Sequence, residues 1–498
     1  MLKLNIKSGG KKIAYKSLSI SLKYLIDGPK INQSLENLVK VSNVKISELQ
    51  RKNFLAKDGK EMRIAKHDGK PDELVIFKVK IDEAFSPDFF RNQLAGFIQN
   101  IENTELKNLH IFIPKYEPFK KYFDSENYFY RTFIEGIFLG NYSFSKYKSD
   151  KKTERQVSVF LYADNEKNVK QAIVKTLNLM QGLEFAKDLQ NEPSVELTPG
   201  VLAKRISSSL TKAGAKVKIF DEKEIRKRGM GGVIAVGKGS DNPPRFIVIE
   251  YNGSKQKKKI ALVGKGVTFD SGGISIKPPA NMGEMKADMS GAAIVAGVIL
   301  SALKQKLPVN IVGVIPAVEN MPSGKALKPG DIIYTASGKS IEVDDTDAEG
   351  RIILSDALDY ASKEKPEVII DLATLTGAAV VALGEFTAGM FTKDDKLAGT
   401  LFNLGRKTSE RLWRLPLWDE YNELIKSDVA DVKNLGPRWG GAITAAKFLE
   451  HFVDKKIPWA HLDIAGPAMA HEFNNYTKKF MTGFGVRLLF EYLDSSTK

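Results

Sequence analysis

Cysteine is absent from the 498-residue sequence, and histidine occurs only five times. The lack of thiols excludes disulfide bonds, thiolate metal sites and a cysteine nucleophile. None of the histidines belongs to an H-E-x-x-H zinc motif, and no G-x-S-x-G motif for a nucleophilic serine occurs. The sequence therefore argues against cysteine peptidases, H-E-x-x-H metallopeptidases and serine hydrolases of the α/β-hydrolase type.

Long hydrophobic runs are also missing. The apolar run Ala292–Leu303 is too short to span a bilayer. The residues after Met1 lead into glycine and lysine rather than into the apolar core of a signal peptide. We therefore expect no membrane span, no secretory signal and a cytoplasmic location.

Positive charge, in contrast, is in excess. The 75 Lys and Arg residues outnumber the 60 Asp and Glu residues, which gives a net charge of +15. A basic surface can attract nucleic acid, but no aromatic and basic recognition motif accompanies the charge. An ordinary solvated surface is the favoured interpretation, and DNA binding is kept as an alternative function.

The length and the apolar content of 43% are typical of a globular protein with two domains. Residues 1–164 mix Lys-rich loops with short strand-like runs, and we interpret them as an N-terminal α/β domain. Residues 165–189 are interpreted as a connecting helix and residues 190–498 as a second α/β domain. In this second domain strand-like runs such as Val309–Ile315 alternate with helical runs such as Glu349–Lys363. This alternation predicts a central mixed, largely parallel sheet covered by helices.

Charged residues concentrate in two runs of the second domain. Lys265–Gly273 follows an apolar strand-like segment, and Asp345–Arg351 holds three carboxylates and one arginine. In α/β sheets, ligands bind at the carboxyl ends of strands. Carboxylates suit hard or borderline divalent ions and can bridge two of them, so the runs predict a two-metal hydrolase. The candidate ligands are Lys265, Asp270, Asp288, Asp347 and Glu349.

Each of these candidates also has a simpler interpretation. Lys265 ligates a metal only as a neutral amine, and an ordinary lysine at a strand end is the alternative. Asp347 and Glu349 could be acidic residues at a helix N-terminus, where the helix dipole favours them. Lys277 and Arg351 could be surface charges rather than cations that stabilise a transition state.

Several segments carry a resemblance to a known family. The chain resembles the leucyl aminopeptidase family of dinuclear metallopeptidases, also called the cytosol aminopeptidases, over about residues 180–490. The segments that match are Val263–Gly273, Met285–Ala293, Asn320–Gly324, Lys328–Asp331, Asp345–Arg351, Asp371–Ala378 and Trp459–Pro467.

The resemblance implies an activity and a set of roles. A member of this family removes the N-terminal residue of peptides, with Leu and other apolar residues preferred. The five candidate ligands would hold two divalent ions, zinc or manganese with magnesium or cobalt possible, and Asp270 and Glu349 would bridge them. Lys277 and Arg351 would be the catalytic cations. The arginine would hold a bicarbonate that serves as general base toward a water bridging the metals.

The resemblance also implies a substrate pocket and an assembly. Met285, Thr374, Gly377 and Ala465 would line the pocket for the first side chain. The family assembles as homohexamers, so residues 1–164 would be a non-catalytic, oligomer-related domain. One departure stands out: the signature usually begins with Asn, whereas this chain has Asp345. The added carboxylate raises a question about metal preference and pH optimum.

Overall fold

The structure is a computed structural model that describes residues 2–9, 18–65, 72–101, 104–150, 155–256, 258–471, 476–477 and 480–497. The chain divides into two compact units. The first comprises Met1–Leu177 and Asn475–Thr477, and the second comprises Asn178–Asn474 and Lys478–Lys498. The two-domain α/β prediction is confirmed. The division falls between Leu177 and Asn178, inside a long helix rather than at either end of it.

The first unit is built on a six-stranded sheet in which a single strand runs antiparallel to its neighbour. The strand order is β1-β6-β5-β2-β4-β3, and only β3 is antiparallel to its neighbour. The strands are β1 (Leu2–Ser8), β2 (Ser19–Ile26), β3 (Glu61–Ala65), β4 (Asp72–Val79), β5 (Asn108–Phe112) and β6 (Arg155–Tyr162). The helices are α1 (Ile31–Val41), α2 (Glu48–Leu55), α3 (Asp88–Ile101), α4 (Glu126–Asn141) and α5 (Glu166–Asn191), with a 3-10 turn at Glu117–Tyr122. Helix α5 corresponds to the segment interpreted as a connector.

The second unit contains a nine-stranded sheet and two small sheets. The main strand order is β16-β15-β18-β14-β9-β11-β8-β7, and β10 pairs with β11. The strands are β7 (Lys216–Phe220), β8 (Arg245–Asn252), β9 (Lys259–Gly264), β10 (Gly266–Asp270), β11 (Asn310–Asn320), β12 (Ile332–Tyr334), β13 (Ser340–Glu342), β14 (Val368–Ala373), β15 (Thr387–Phe391), β16 (Arg411–Arg414), β17 (Val432–Lys433), β18 (Trp459–Asp463), β19 (Met469–Ala470) and β20 (Phe480–Met481). Strands β12, β13 and β17 form one small sheet and β19 pairs with β20 in the other.

Helices cover this sheet, as the sequence predicts. They are α6 (Pro199–Ala213), α7 (Glu222–Lys227), α8 (Gly231–Gly237), α9 (Ser290–Gln305), α10 (Glu349–Lys363), α11 (Gly377–Leu383), α12 (Asp395–Thr408), α13 (Gly441–Glu450) and α14 (Val486–Ser495), with 3-10 turns at Met282–Ala287 and Asp419–Ile425. The central strands β9, β10, β11, β14 and β18 are mutually parallel, whereas β8 is antiparallel to β11 and β15 is antiparallel to β18. The prediction of a mixed, largely parallel sheet is therefore confirmed.

Helix α9 is a long, strongly apolar helix of the second unit, and all its residues from Ser290 to Leu303 are buried. Together with the preceding 3-10 turn it forms the one segment of the described chain, Met282–Gln305, that is long and apolar enough to cross a membrane. However, 94% of its most apolar window is buried inside the protein. A core helix of a large globular domain has these properties.

Helix α10 is anchored by a fully buried carboxylate. Asp356 accepts hydrogen bonds from the backbone N–H of Val233 at the start of α8 (2.9 Å) and from that of Ala336 in the β12–β13 turn (2.8 Å). Burial raises the pKa of Asp356 to about 7 even though these hydrogen bonds oppose the shift. Because α10 carries Glu349 and Arg351, this anchor also fixes candidate site residues.

We expect Asp356→Ala to lower the free energy of unfolding by about 2–4 kcal/mol, because two buried N–H groups lose their acceptor. The folded state holds the Asp356 proton to a higher pH than the unfolded chain does, so this contribution weakens as pH rises between about 4 and 7. The loss should therefore be larger at pH 5 than at pH 8 in urea titrations. Asp359→Ala, on the same helix but in a surface ion pair with Lys363, is the control and should change stability little.

Candidate metal centre and active site

The carboxyl ends of several parallel strands meet at one edge of the nine-stranded sheet. Lys265 directly follows β9, Asp270 ends β10, Thr374 directly follows β14, and Ala465 lies just beyond β18. Because β9, β10, β14 and β18 belong to the same parallel set, residues that are up to two hundred positions apart in sequence become neighbours. This is the edge at which open α/β sheets bind ligands.

A cluster of buried acidic side chains occupies this edge. Asp270, Asp347 and Glu349 each offer a carboxylate oxygen that lies within 4.8 Å of those of the other two. The Nζ atom of Lys265 lies 2.8 Å from Oδ2 of Asp288 and 2.9 Å from Oε1 of Glu349. The structure therefore brings together all five residues that the sequence singled out as candidate ligands.

Lys277 joins the cluster from the loop after β10. Its Nζ atom lies 2.8 Å from Oδ2 of Asp270 and 2.5 Å from Oδ1 of Asp347. The two lysines thus face four carboxylates, and two negative charges stay uncompensated. The surface-charge interpretation of Lys277 is not what the structure shows, since only 21% of the side chain is exposed.

The excess of negative charge in the cluster helps to raise the pKa values of its acidic groups. Burial and the neighbouring Asp270 raise the pKa of Asp347 to about 7, and burial raises the pKa of Glu349 and of Asp288 above their usual range. Burial alone would lower the pKa of Lys265, but the surrounding carboxylates outweigh it and hold that pKa above its ordinary value. Divalent ions would satisfy the carboxylates and leave burial to favour the neutral amine that a lysine ligand requires.

One acidic oxygen of the cluster lacks a partner, and three others contact only a lysine ammonium. Oε2 of Glu349 has neither a hydrogen bond nor an ion pair among the described residues, although the residue is 1% exposed. Oε1 of Glu349, Oδ2 of Asp288 and Oδ1 of Asp347 have no partner among the described residues beyond their ion pairs with Lys265 and Lys277. Buried anionic oxygens without hydrogen bonds are costly unless a cation pairs with them. The donor set, which consists of carboxylates and one amine, therefore fits divalent metal ions.

Gly350 leaves the space through which Lys265 reaches the cluster. A Cβ atom at this position would lie 2.4 Å from Cε and 2.6 Å from Nζ of Lys265. Glu349 is the first residue of α10, whose N-terminus has no side-chain cap. The Glu349 carboxylate lies at the positive N-terminal end of the helix, which agrees with the interpretation of Glu349 as an acidic residue at a helix N-terminus. It also contacts the Lys265 ammonium.

Arg351 lies next to the acidic cluster and is only 6% exposed. It donates a hydrogen bond from Nη1 to the carbonyl oxygen of Asn434 (2.8 Å), and its Nε has no partner among the described residues. Burial lowers the pKa of Arg351 to about 10, so the guanidinium is still charged at neutral pH. A buried, partly unsatisfied guanidinium is suited to hold a planar anion.

A cavity of about 730 Å³ opens above the cluster. Its walls include the four residues that the sequence assigned to the first side-chain pocket, together with all candidate ligands except the deeper Glu349. Thr374 Oγ1 also donates a hydrogen bond to Oδ1 of Asp288 (2.7 Å) and thereby connects the pocket wall to the cluster. The pocket residues are Met285, Thr374, Gly377 and Ala465.

The residue that departs from the family signature has a local role. Asp345 accepts a hydrogen bond from the backbone N–H of Asp347 at Oδ1 (2.8 Å), which shapes the turn that carries the candidate ligands. Its own backbone exchanges hydrogen bonds with the side-chain amide of Asn434. An Asn side chain has the same carbonyl oxygen at the same distance from the main chain, so it can accept the same hydrogen bond.

We therefore expect Asp345→Asn to retain peptidase activity within about twofold, because the hydrogen bond that matters is kept. Metal dependence and the pH profile should also match those of the wild type. Hydrolysis of a Leu-peptide from pH 6 to 10 at several Mn²⁺ concentrations checks this. A displaced pH optimum would mean that the extra carboxylate acts electrostatically on the site. Asp345→Ala, which removes the acceptor, serves as the contrasting variant.

The sequence did not single out three residues that help to position the side chains of the site. Asn320, at the end of β11, donates from Nδ2 to Oδ1 of Asp270 (2.8 Å) and to the carbonyl oxygen of Thr346 (3.0 Å). Asp463, at the end of β18, accepts from Oγ1 of Thr376 (2.6 Å) and so orders the pocket wall. Asn434 is the third. A polar residue at the end of a buried strand is the sequence signal that Asn320 and Asp463 share.

Comparison with known proteins decides the family. The model of the cytosol aminopeptidase family, catalytic domain, matches residues 184–490, which is more than half of the chain. The chain belongs to the cytosol aminopeptidase family. The resemblance inferred from sequence is thus confirmed, and the protein is an aminopeptidase, a metal-dependent hydrolase of peptides.

Individual relatives within the cytosol aminopeptidase family agree. A probable cytosol aminopeptidase of Persephonella marina is 41% identical over 497 residues, which covers 99% of each chain. One from Chlorobaculum tepidum is 50% identical over 377 residues, covering 72% of this chain and 74% of the relative. Among solved structures, a tomato leucine aminopeptidase variant superposes with a TM-score of 0.86 at 31% identity, covering 99% of this chain and 97% of that one. The bottromycin maturation enzyme BotP in complex with Mn superposes with a TM-score of 0.84 at 31% identity, covering 97% and 100%.

Proposed function

We propose that this aminopeptidase releases N-terminal Leu and other apolar residues from peptides by a two-metal mechanism. The observation that supports the proposal is the cluster of four carboxylates that share only two lysine ammonium groups, in which Oε2 of the buried Glu349 has no partner among the described residues. The proposed ligands are Lys265, Asp270, Asp288, Asp347 and Glu349, with Asp270 and Glu349 as bridges. When bound, two divalent ions would acidify a water molecule and polarise the scissile carbonyl.

The residues of the chain would supply orientation and charge around that chemistry. Asp288, held by Thr374, would pair with the free α-amine of the substrate and would restrict attack to the first peptide bond. Lys277 would stabilise negative charge on the carbonyl oxygen as it develops. Arg351 would hold a bicarbonate that takes up the proton of the attacking water. Among the described residues that line the cavity, the histidine, His471, is paired with Glu385 and Glu284, and both cluster lysines are ion-paired.

The pocket composition supports an apolar preference. Met285 and Ala465 contribute apolar surface to the cavity, and Gly377 leaves room because a Cβ atom there would meet nothing within 4 Å. Such a pocket suits Leu or Met. It would separate aliphatic side chains that differ by one methylene by only about 1–3 kcal/mol.

The ions, the assembly and the location are also proposals. Oxygen-rich ligands with one amine suit zinc or manganese, with magnesium or cobalt as substitutes. Manganese is supported by the BotP structure, which is described as a complex with Mn. A cytoplasmic homohexamer is proposed by analogy with the family, with the first unit taking part in assembly rather than catalysis.

One comparison of two substrates tests the proposed function. Protein loaded with Mn²⁺ or Zn²⁺ should release Leu from a peptide with a free N-terminus and should leave the N-acetylated form of that peptide intact. Chelation should abolish the activity, and metal should restore it. Equal cleavage of both peptides would refute recognition of the α-amine, and full activity after chelation would refute the two-metal mechanism.

A further inference from the structure

We propose that Arg438, at the rim of the active-site cavity, binds a carboxylate of the peptide beyond the scissile bond, so that the enzyme favours dipeptides with a free C-terminus. The proposal rests on the proposed function, because it concerns the substrate of the same site. It adds a residue that recognises the leaving side of the substrate.

Arg438 differs from the other cations that line the cavity. Lys265 and Lys277 are each paired with two carboxylates, and Arg351 is buried and donates to a backbone carbonyl. Arg438 is exposed, and within the described part of the chain its guanidinium makes neither an ion pair nor a hydrogen bond. Its positive charge is therefore available to a ligand in the cavity.

The neighbouring residue, Trp439, contacts the guanidinium of Arg438 and helps to orient it. The Cζ atom of Arg438 lies 5.5 Å from the centre of the Trp439 ring, in a cation–π contact. Trp439 itself is 77% exposed, so it contributes an apolar surface beside the charge. A guanidinium that rests on an indole keeps its N–H groups free at the edge, where a carboxylate can pair with them.

The start of α13 adds to the positive potential. This ten-residue helix begins at Gly441, three residues after Arg438, and no side chain caps its N-terminus. Gly441 and Thr444 in the first turn line the cavity together with Arg438. The positive end of the helix dipole therefore faces the same space and favours an anion beside the guanidinium.

The distribution of charge in the cavity matches a short zwitterionic peptide. The floor holds Asp288, which in the proposed function pairs with the α-amine of the substrate. The rim carries the unpaired Arg438. A dipeptide in extended form spans about 7 Å, and the cavity of about 730 Å³ accommodates a di- or tripeptide. The carboxylate can come from the C-terminus or from an acidic second residue, and the experiment separates these sources.

The experiment compares Leu-Gly, Leu-Gly-amide and Leu-Glu-amide with the wild type, Arg438→Gln and Arg438→Lys, all loaded with Mn²⁺. For Leu-Gly we expect Arg438→Gln to lower kcat/KM by about three- to tenfold through KM, because contacts remote from the reacting bond act on ground state and transition state alike. Leu-Gly-amide should change by less than about twofold. Arg438→Lys should keep only part of the preference, because it retains the charge but loses the planar guanidinium that stacks on Trp439. A loss with Leu-Glu-amide as large as with Leu-Gly would show that Arg438 also reads an acidic side chain.

Arg411→Gln is the matched control, because it removes one exposed guanidinium from β16, outside the cavity. It should leave all three substrates unchanged, and equal thermal midpoints would show that the Arg438 variants fold normally. An active wild type in which Arg438→Gln changes kcat/KM for Leu-Gly and for Leu-Gly-amide by the same factor, whether or not that factor is one, would overturn the role of Arg438 alone. A wild type that hydrolyses none of the three peptides would overturn the proposed function and this role together.

Discussion

Asp347→Ala and Glu349→Ala should each abolish peptide hydrolysis and lower the bound metal content below two ions per chain. Each substitution removes a carboxylate from a cluster in which the acidic oxygens lie within 4.8 Å of one another. A bound ion contributes several kcal/mol of transition-state stabilisation, so we expect the loss in kcat/KM to be about a thousandfold or more. Metal content by mass spectrometry and Leu-peptide hydrolysis should be measured on the same samples.

Two further variants show whether such losses arise at the site. Glu349→Gln keeps the shape of the side chain and removes its charge, so it should lose metal without unfolding the helix that begins there. Asp359→Ala lies on the same helix, in a surface ion pair, and should keep both metal and activity. Full metal occupancy in Glu349→Ala would contradict its role as a bridging ligand.

Gly350→Ala should lower kcat/KM by about a hundredfold, because displacement of a reacting or ligating group by about 1 Å costs that much. The added methyl group would lie 2.4 Å from Cε of Lys265, which is 3% exposed and held at Nζ by Asp288, Glu349 and the carbonyl oxygen of Thr374. The lysine therefore has nowhere to move without leaving the cluster. Activity, metal content and thermal unfolding of the purified variant check the expectation.

Gly399→Ala is the matched control, since Gly399 lies in α12 and an added Cβ atom there would meet nothing within 4 Å. It should be fully active and slightly more stable, because alanine is the better helix former. Activity of Gly350→Ala at the wild-type level would mean that Lys265 need not occupy its present position. If Gly350→Ala is inactive but keeps its metal content and its thermal midpoint, displacement of Lys265, and not loss of metal or of the fold, explains the lost activity.

Local sequence patterns predicted an element best when its ends depended on its own residues and not on contacts with distant parts of the chain. Helix α10 begins and ends where the pattern places it, at Glu349 and Lys363. Strand β11 was predicted to end at Ile315, before Pro316, but it continues to Asn320. The reason is tertiary: β9 pairs with β11 up to Val314 and β10 pairs with it from Ala317. Pro316 lies in the gap between them, where its missing N–H costs no hydrogen bond on that side.

The sequence likewise predicted only those residues of the candidate site that form a local pattern. The acidic residues stood out because they cluster in two short runs, and the structure brings those runs together. Asn320, Asn434 and Asp463 could not be recognised in this way, because each is a single polar residue whose importance comes from what the fold places beside it. Arg438 escaped for the same reason, since its isolation from other charges is a property of the tertiary structure.

The two outermost strands of the nine-stranded sheet carry several of the basic residues of the chain. Strand β7 carries Lys216 and Lys218, and β16 carries Arg411 and Arg414. Lys218 and Arg414 are ion-paired with Glu250 and Asp395, so Lys216 and Arg411 are the residues that bring net positive charge to the two edges. Such residues discourage a strand from another molecule from adding to an edge, since two like edges repel each other. Part of the +15 charge would then protect against aggregation during folding and at high concentration, a benefit that requires no nucleic acid.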